Sequence, residues 1–299
     1  METDTTGVPR LFDTRLLADR RKRALAHHGD AGDFLLKEVT SDMLDRLSII
    51  LRPFPVIAEL GGHTGGLARQ LKNREGTDYV FRLEQASTLL AKEDNGLLFD
   101  PEFLPIKPQS LNLLVSPLFL HWVNDLPGTL VQIRQSLAPD GLLLATLLGR
   151  DSLKELREAF LMADSEITGG ASPRVAPLPD LKDMGSLLQR AGFSLPVVDH
   201  DTLTVRYSSL FSLMQDLRRM GATNVLTDRS RHFMRRDCLM RAAKIYQDRF
   251  SDQDGRIRAT FQVVSLSGWA PDESQQKPLK PGSAKMSLAS VLGDKSGSK

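Results

Sequence analysis

Two periodicities alternate along the middle of the chain. Short apolar runs at 56–60, 79–84, 97–99, 111–116 and 141–147 read as strands, and the segments near 66–73, 86–92 and 125–137 carry apolar positions every three or four residues, which predicts helices. Strands alternating with helices predict an α/β fold with a doubly wound, mostly parallel sheet, because each crossover helix must pack back onto one face of that sheet. Helices flank this core. Leu11, Phe12, Leu16, Leu17 and Leu25 give 11–28 one stripe, and Leu36, Val39, Met43, Leu44 and Leu47 give 34–51 another, which "RPFP" terminates.

Beyond Arg150, "DSLKELREAFLMADSEI" predicts an amphipathic helix, with Asp151 or Ser152 as its cap and Glu155 completing a capping box. A Gly-, Pro- and Ser-containing loop, 169–180, connects or lids the site. Helix 181–191, strand 197–206, helix 209–220, a basic helix at 229–250 and strand 259–267 follow. The expected organisation is an N-terminal helical cap (1–52), one α/β domain (53–270) with a helical insertion near 209–250, and a tail (271–299) expected to be mobile.

Composition narrows the function classes. With 299 residues and 41% hydrophobic content, one substantial core is affordable, and a net charge of +2 gives no general argument for nucleic acid. The single cysteine, Cys238, excludes an intrachain disulfide and zinc sites built on paired cysteines. The apolar runs 113–123 and 141–149 fall short of the roughly 20 residues that span a bilayer. "METDTTGVPRLFD" has neither a signal-peptide core nor an acid-poor, arginine-rich import face, so a cytoplasmic location is expected. Arg15, Arg20, Arg21, Lys22 and Arg23, and again "DRSRHFMRR" (228–236), form basic stretches. Solvated helix faces are the plain explanation; peripheral contact with lipid head groups or phosphates suits the first and an acidic protein partner the second. Nucleic acid suits less, because base-stacking aromatics are not interleaved.

The chemistry concentrates at "VIAELGGHTGGLARQL" (56–71). Glycines at the carboxyl end of a first strand let backbone approach a ligand, and the next helix is expected to offer free N–H groups. Glu59 precedes the loop and Glu84 ends the second strand, where a carboxylate can accept hydrogen bonds from ribose hydroxyls. The loop is not the G-x-G-x-x-G of nicotinamide sites. "E-L-G-G-H-T-G" resembles the acidic first motif of class I S-adenosylmethionine-dependent methyltransferases, whose cationic, phosphate-free cofactor welcomes nearby carboxylates.

That resemblance extends through "FDPEFLPIKPQSLNLLVSPLFLHWVNDLP" (99–127) and "LAPDGLLLATLLG" (137–149). "LHWVNDL" and "PDG" are similar to the malonyl-carrier-protein methyltransferase of biotin synthesis. "GRDSLKELR", "LLQRAGF", "LRRMGATN", "TFQVVSLSGW" and "PGSA" resemble the complex I assembly factor five family over nearly the whole chain. The resemblance implies a seven-stranded sheet with an antiparallel last strand. It implies S-adenosylmethionine as cofactor, held by Glu59, Gly61, Gly62, His63, Gly65, Glu84, Asp100, Pro101 and Ser116, with Asp100 reaching the adenine amino group. It also implies an iron–sulfur subunit of complex I as protein partner, hydroxylated at an arginine in that family.

Three positions depart from the pattern: His63 replaces a glycine, Glu84 replaces the commoner aspartate, and Asn112 stands where the fourth strand often begins with aspartate. A side chain at 63 would crowd the methionine end of the cofactor, and left-handed backbone there would add about 1–2 kcal/mol of strain. His121 and Trp122 follow the fourth strand, where an imidazole can orient a nucleophile or take a proton and an indole can stack on substrate; both are candidate catalytic residues, or they close the pocket floor. His27 and His28 read as polar helix residues. "DHD" (199–201) suggests a metal, but strand alternation separates His200 from both aspartates, so no metal is expected. Methyl transfer and arginine hydroxylation both suit the motif. Carboxyl methylation of a small acid or carrier-protein thioester, and a non-catalytic assembly chaperone with a degenerate pocket, are the alternatives.

Overall fold

In a computed structural model describing residues 10–92 and 94–276, a seven-stranded sheet organises the chain. Its elements in order are α1 (Thr14–His28), α2 (Phe34–Ser48), β1 (Val56–Leu60), α3 (Gly66–Leu71), β2 (Tyr79–Glu84), β3 (Asn95–Leu98), β4 (Leu111–Ser116) and α4 (Leu126–Ser136). Then follow β5 (Leu137–Leu148), α5 (Lys154–Thr168), α6 (Leu181–Arg190), β6 (Ser194–Tyr207), α7 (Leu210–Arg219), α8 (Arg236–Phe250) and β7 (Ile257–Trp269). The strand order is β3-β2-β1-β4-β5-β7-β6, parallel from β3 to β5, with β7 antiparallel to both β5 and β6. The expected seven strands and antiparallel last strand are both present.

The apolar runs of β1 and β4 reflect burial on both faces, as central parallel strands require. On one face α2, α3, α5, α7 and α8 supply Val39, Met43, Leu67, Leu156, Leu213 and Ile245 to the core. On the other, α4 and α6 supply Leu130, Ile133, Met184 and Leu188. The strand order reverses between β1 and β4, and a sheet of this kind opens its ligand crevice beyond the carboxyl ends of the strands there. The N-terminal segment is sewn across that end. The backbone N–H groups of Leu11 and Phe12 donate to Asn124 Oδ1 (2.9 and 2.8 Å), and Asp13 N–H donates to the Val225 carbonyl (2.8 Å).

Several local expectations give way to longer-range bonds. The helix predicted at 86–92 is one 3-10 turn, Ser87–Leu89, because Arg82 binds the Leu89 carbonyl and Asp94 takes the Ala91 N–H. β5 begins directly at Leu137, but its register against β4 breaks between the Leu111–Leu137 and Leu113–Leu142 pairs, where Asp140 is left-handed (φ 61°) and its N–H binds the Ala270 carbonyl (3.1 Å). α8 starts at Arg236, leaving 229–235 outside it. α5 has no capping box; Ser152 exchanges hydrogen bonds with the Gln262 backbone (3.1 and 3.0 Å), and the buried Glu155 carboxylate accepts from Thr260 N–H (3.2 Å) and Oγ1. The tail expected to be mobile lies outside the described residues from 277 onward.

Glu155 therefore fastens α5 to β7 rather than capping its own helix. Glu155→Ala is expected to lower unfolding free energy by about 2 kcal/mol, since hydrogen bonds to charged groups contribute about 1.5–3 kcal/mol. Urea denaturation beside Lys154→Ala measures this, and equal midpoints for the two variants would contradict it.

Candidate functional site

The glycine loop joins β1 to α3 over a buried ion cluster. Gly61 and Gly65 adopt left-handed backbone, φ 66° and 71°, and a Cβ on Gly62 would lie 2.1 Å from the Glu59 carboxyl carbon, so the loop rests directly on that side chain. Both Glu59 oxygens are engaged: Oε1 accepts from Ala68 N–H (3.0 Å) and Oε2 from Arg82 Nε (2.8 Å). The structure thus gives Glu59 a bracing position beneath the loop. Two N–H groups expected to be free at the start of α3 are also taken, Gly66 by Thr64 Oγ1 and Ala68 by Glu59.

Arg82, which sequence reasoning passed over, is the centre of the cluster. It is 2% exposed and lies beside Glu59 in the β1–β2 register. Its guanidinium reaches Glu59 (2.8 Å), Asp94 (2.6 Å), Glu84 (3.2 Å) and the His63 carbonyl (3.2 Å). Burial opposes its charge, but Glu59 and Glu84 outweigh burial and hold it above the ordinary arginine range. The signal was present in "YVFRLE": a charge inside a strand otherwise bound for the interior needs a partner. Glu84 responds differently. Burial pushes its carboxyl up to about 7, against Arg21 and Arg82. Oε1 accepts from His63 N–H (2.7 Å), while the buried Oε2 has no partner among the described residues.

His63 is left-handed, φ 54°, and 2% exposed. Its side chain turns away from the loop toward α1, where Nε2 donates to the Arg21 carbonyl (2.9 Å), fixing the proton on Nε2. Nδ1 lies 3.7 Å from Asp33 Oδ2 without a hydrogen bond. Burial, opposed by Asp33, lowers the imidazole pKa and keeps it neutral. Arg21 answers with its own side chain: Nη2 donates to the Gly61 carbonyl (2.9 Å), the guanidinium lies 5.5 Å over the Phe119 ring, and Nη1 is buried without a partner among the described residues. His63 and Arg21 clamp α1 to the glycine loop at two points. Arg21, 5% exposed, shares a helical stripe with Leu17 and Ala24, the signal that a charge on α1 points inward.

The remaining expected residues divide into two groups. Phe99 N–H binds the Glu84 carbonyl (3.1 Å), which sets Asp100 and Pro101 beside the end of β2; Asp100 Oδ1 accepts from Glu102 N–H (3.0 Å) and Pro101 C=O from Thr129 Oγ1 (3.0 Å). Ser116 is buried, its hydroxyl donating to Leu60 C=O (3.0 Å). Asn112 Oδ1 accepts from Val56 N–H (3.0 Å), tying β4 to β1 where aspartate is commoner. His121 and Trp122 line a chamber of about 340 Å³ that adjoins the loop through Phe119, which packs against Gly61. Their rings are 4.8 Å apart, and burial pulls the His121 pKa down to about 3, so it is a neutral hydrogen-bonding group at neutral pH.

Nine leucines with Phe160 and Phe261 form the largest apolar share of the chamber wall, and Arg21 and Asp33 connect it to the loop. Among the described residues, Asp33 is the only carboxylate in its lining; Oδ1 is spent on Leu36 N–H (2.9 Å) as the cap of α2. Arg174, Val175, Ala176 and Leu178 place the 169–180 loop against this chamber, with Arg174 paired to Asp164 (2.6 Å). His27 and His28 stand exposed at the end of α1. In "DHD", Asp199 and Asp201 both face Arg46 (2.7 and 3.8 Å). Among the described residues no three His, Cys, Asp or Glu side chains gather as a metal site.

A methyltransferase-domain family model matches residues 58–145. The chain is 38% identical over 265 residues to "Arginine-hydroxylase NDUFAF5, mitochondrial" of Homo sapiens, covering 87% of this chain and 76% of that one. It is 34% identical to the malonyl-[acyl-carrier protein] O-methyltransferase of Xylella fastidiosa, covering 87% and 89%. A solved structure of a methyltransferase from Bacillus halodurans shares the fold with a TM-score of 0.55 at 12% identity, over 78% of this chain and all of that one.

Two variants test this geometry. Arg82→Leu leaves Glu59 and Glu84 without the cation they share, and Asp94 with the Lys72 cation alone (3.5 Å) among the described residues, and is expected to cost about 3–5 kcal/mol at pH 7. The deficit should shrink as pH falls and the carboxylates protonate; a urea-measured loss below about 1 kcal/mol at pH 7 would contradict the cluster's role. His63→Gly relieves left-handed strain but removes the bond to Arg21. Hydrogen exchange is expected to quicken in α1, and unchanged protection there would show that the imidazole does not anchor it.

Proposed function

Because the chain belongs to the family of the NDUFAF5 arginine-hydroxylases, on the S-adenosylmethionine-dependent methyltransferase fold, we propose that it binds S-adenosylmethionine and acts in respiratory complex I assembly, modifying an arginine of an iron–sulfur subunit. The observation that carries the cofactor reading is the set of buried polar atoms without partners among the described residues beside the glycine loop: Arg21 Nη1, His63 Nδ1, Glu84 Oε2 and, on the next residue, Gln85 Oε1. Unpaired buried groups are costly in a folded protein, and a polar ligand is one way to satisfy them. The residues fit the group. Glu84 Oε2 is an acceptor for ribose hydroxyls, Arg21 Nη1 is a donor for a carboxylate, and Asp100 stands beyond Glu84 for the adenine. When bound, the cofactor supplies an electrophilic methyl on a sulfonium.

For methyl transfer the chain's own residues would contribute positioning; hydroxylation takes in addition an oxygen-donating oxidant from outside the chain. The apolar chamber excludes water from an aliphatic stem, Asp33 Oδ2 offers a carboxylate to a guanidinium, and the Trp122 indole offers a face for a cation. His121, neutral near pH 7, orients by hydrogen bonding rather than by carrying charge. A second reading, carboxyl methylation of an acid or carrier-protein thioester, is supported by Arg20, Arg21, Arg174 and Arg218 around the same chamber.

Intact-mass analysis of complex I subunits from cells with and without this gene separates these readings. A subunit gaining about 16 Da marks hydroxylation and about 14 Da methylation; no change in any subunit would remove complex I as substrate. Cofactor binding carries a pH signature. With the Glu84 pKa near 7 in the free protein, a ligand whose hydroxyls need the ionised carboxylate should bind more tightly as pH rises through 7. Calorimetry with S-adenosylhomocysteine is expected to show affinity increasing from pH 6 to 8 with proton release; a pH-independent constant would contradict the role of Glu84.

A further inference from the structure

Charge is segregated around the chamber. Residues 13–28 and 216–237 carry eleven basic side chains against five acidic ones, a balance of +6 in a chain whose total is +2. These stretches form one surface: Asp13 N–H binds Val225 C=O (2.8 Å), Phe12 bridges Leu226, and Arg229 pairs with Asp13 (3.1 Å). Both reach the chamber, one through Leu17, Arg20 and Arg21, the other through Arg218, Asn224 and Met234. Their acids are largely spent, Asp13 on Arg229, Asp237 on Arg235, and Asp216 on the Tyr207 hydroxyl. Among the described residues, Lys22, Arg218, Arg231 and Arg236 are exposed and have no acidic partner, and Phe233 stands fully exposed among them.

We propose that this cationic surface docks an acidic segment of the substrate protein, whose acidic residues flank the side chain that enters the chamber. The inference rests on the reading that the chamber takes a protein arginine. An isolated arginine approaching so many cations within a Debye length of about 10 Å at 0.1 M salt is repelled, and acidic neighbours reverse the sign of the encounter. Complementary charge of this kind steers association and selects the partner. A flat lipid surface would satisfy the cations but leave the concave chamber between them without an occupant. Nucleic acid would lack stacking aromatics beyond Phe233.

Fluorescence anisotropy with the full chain tests this, using a labelled peptide with one arginine flanked by glutamates, a second with glutamines for the glutamates, and a third with norleucine for the arginine. The glutamate peptide is expected to bind at least about tenfold more tightly than the glutamine peptide, with affinity falling as salt is raised. Lys22→Glu, Arg231→Glu and Arg236→Glu combined should abolish that advantage while leaving the melting temperature and S-adenosylhomocysteine affinity unchanged. Equal binding of the glutamate and glutamine peptides, or an unaffected triple variant, would overturn the proposal. So would charge-dependent binding to phosphatidylglycerol-containing vesicles with none to the glutamate peptide. Equal binding of the norleucine and arginine peptides would leave the acidic docking surface standing and remove the arginine reading instead.

Discussion

A guanidinium buried in a parallel sheet must be neutralised by ionised groups within reach, and Arg82 draws three carboxylates from three segments to do so. Glu59 comes from β1, Glu84 from the end of β2 and Asp94 from the turn before β3. Once they are gathered, the glycine loop has a floor, since Gly62 rests on Glu59 and Gly65 on Arg82 so closely that neither tolerates a Cβ. The same gathering leaves Glu84 with one oxygen committed and one free. A structural ion cluster therefore sets the shape of the loop and leaves a carboxylate oxygen available at its edge.

The histidine in that loop belongs to the same economy of buried bonds. At φ 54° a non-glycine residue is strained by about 1–2 kcal/mol, comparable to the contribution of one hydrogen bond, and His63 makes such a bond with the Arg21 carbonyl. Arg21 returns a side-chain bond to Gly61. The N-terminal helix is thereby fastened to the loop, with its Arg21, and Asp33 at the cap of α2, at the boundary between loop and chamber. What looked like an obstruction in the motif is a tether.

Much of this was legible in the sequence, and what was not depends on distance along the chain. Fully buried parallel strands read plainly as apolar runs, and the motif carboxylates Glu59 and Glu84 stood at recognisable positions. Their division of labour did not, because it follows from the strand register that sets Glu59 opposite Arg82, which local pattern does not encode. The capping box at α5 failed for the same reason: Glu155 is claimed by Thr260, far along the chain. The helix expected at 86–92 gave way to bonds from Arg82 and Asp94. Arg21 was readable, since the periodicity that marks Leu17 and Ala24 as inward-facing marks it too.

In the proposed cofactor site α1 contributes Arg21, whose Nη1, without a partner among the described residues, is assigned to a carboxylate. Titration calorimetry of S-adenosylhomocysteine with Arg21→Met, which keeps the buried aliphatic stem, measures this directly. Loss of one charge-assisted hydrogen bond, about 1.5–3 kcal/mol, predicts affinity about ten- to a hundredfold weaker than that of the unsubstituted chain. Unchanged affinity in a folded Arg21→Met protein would contradict it.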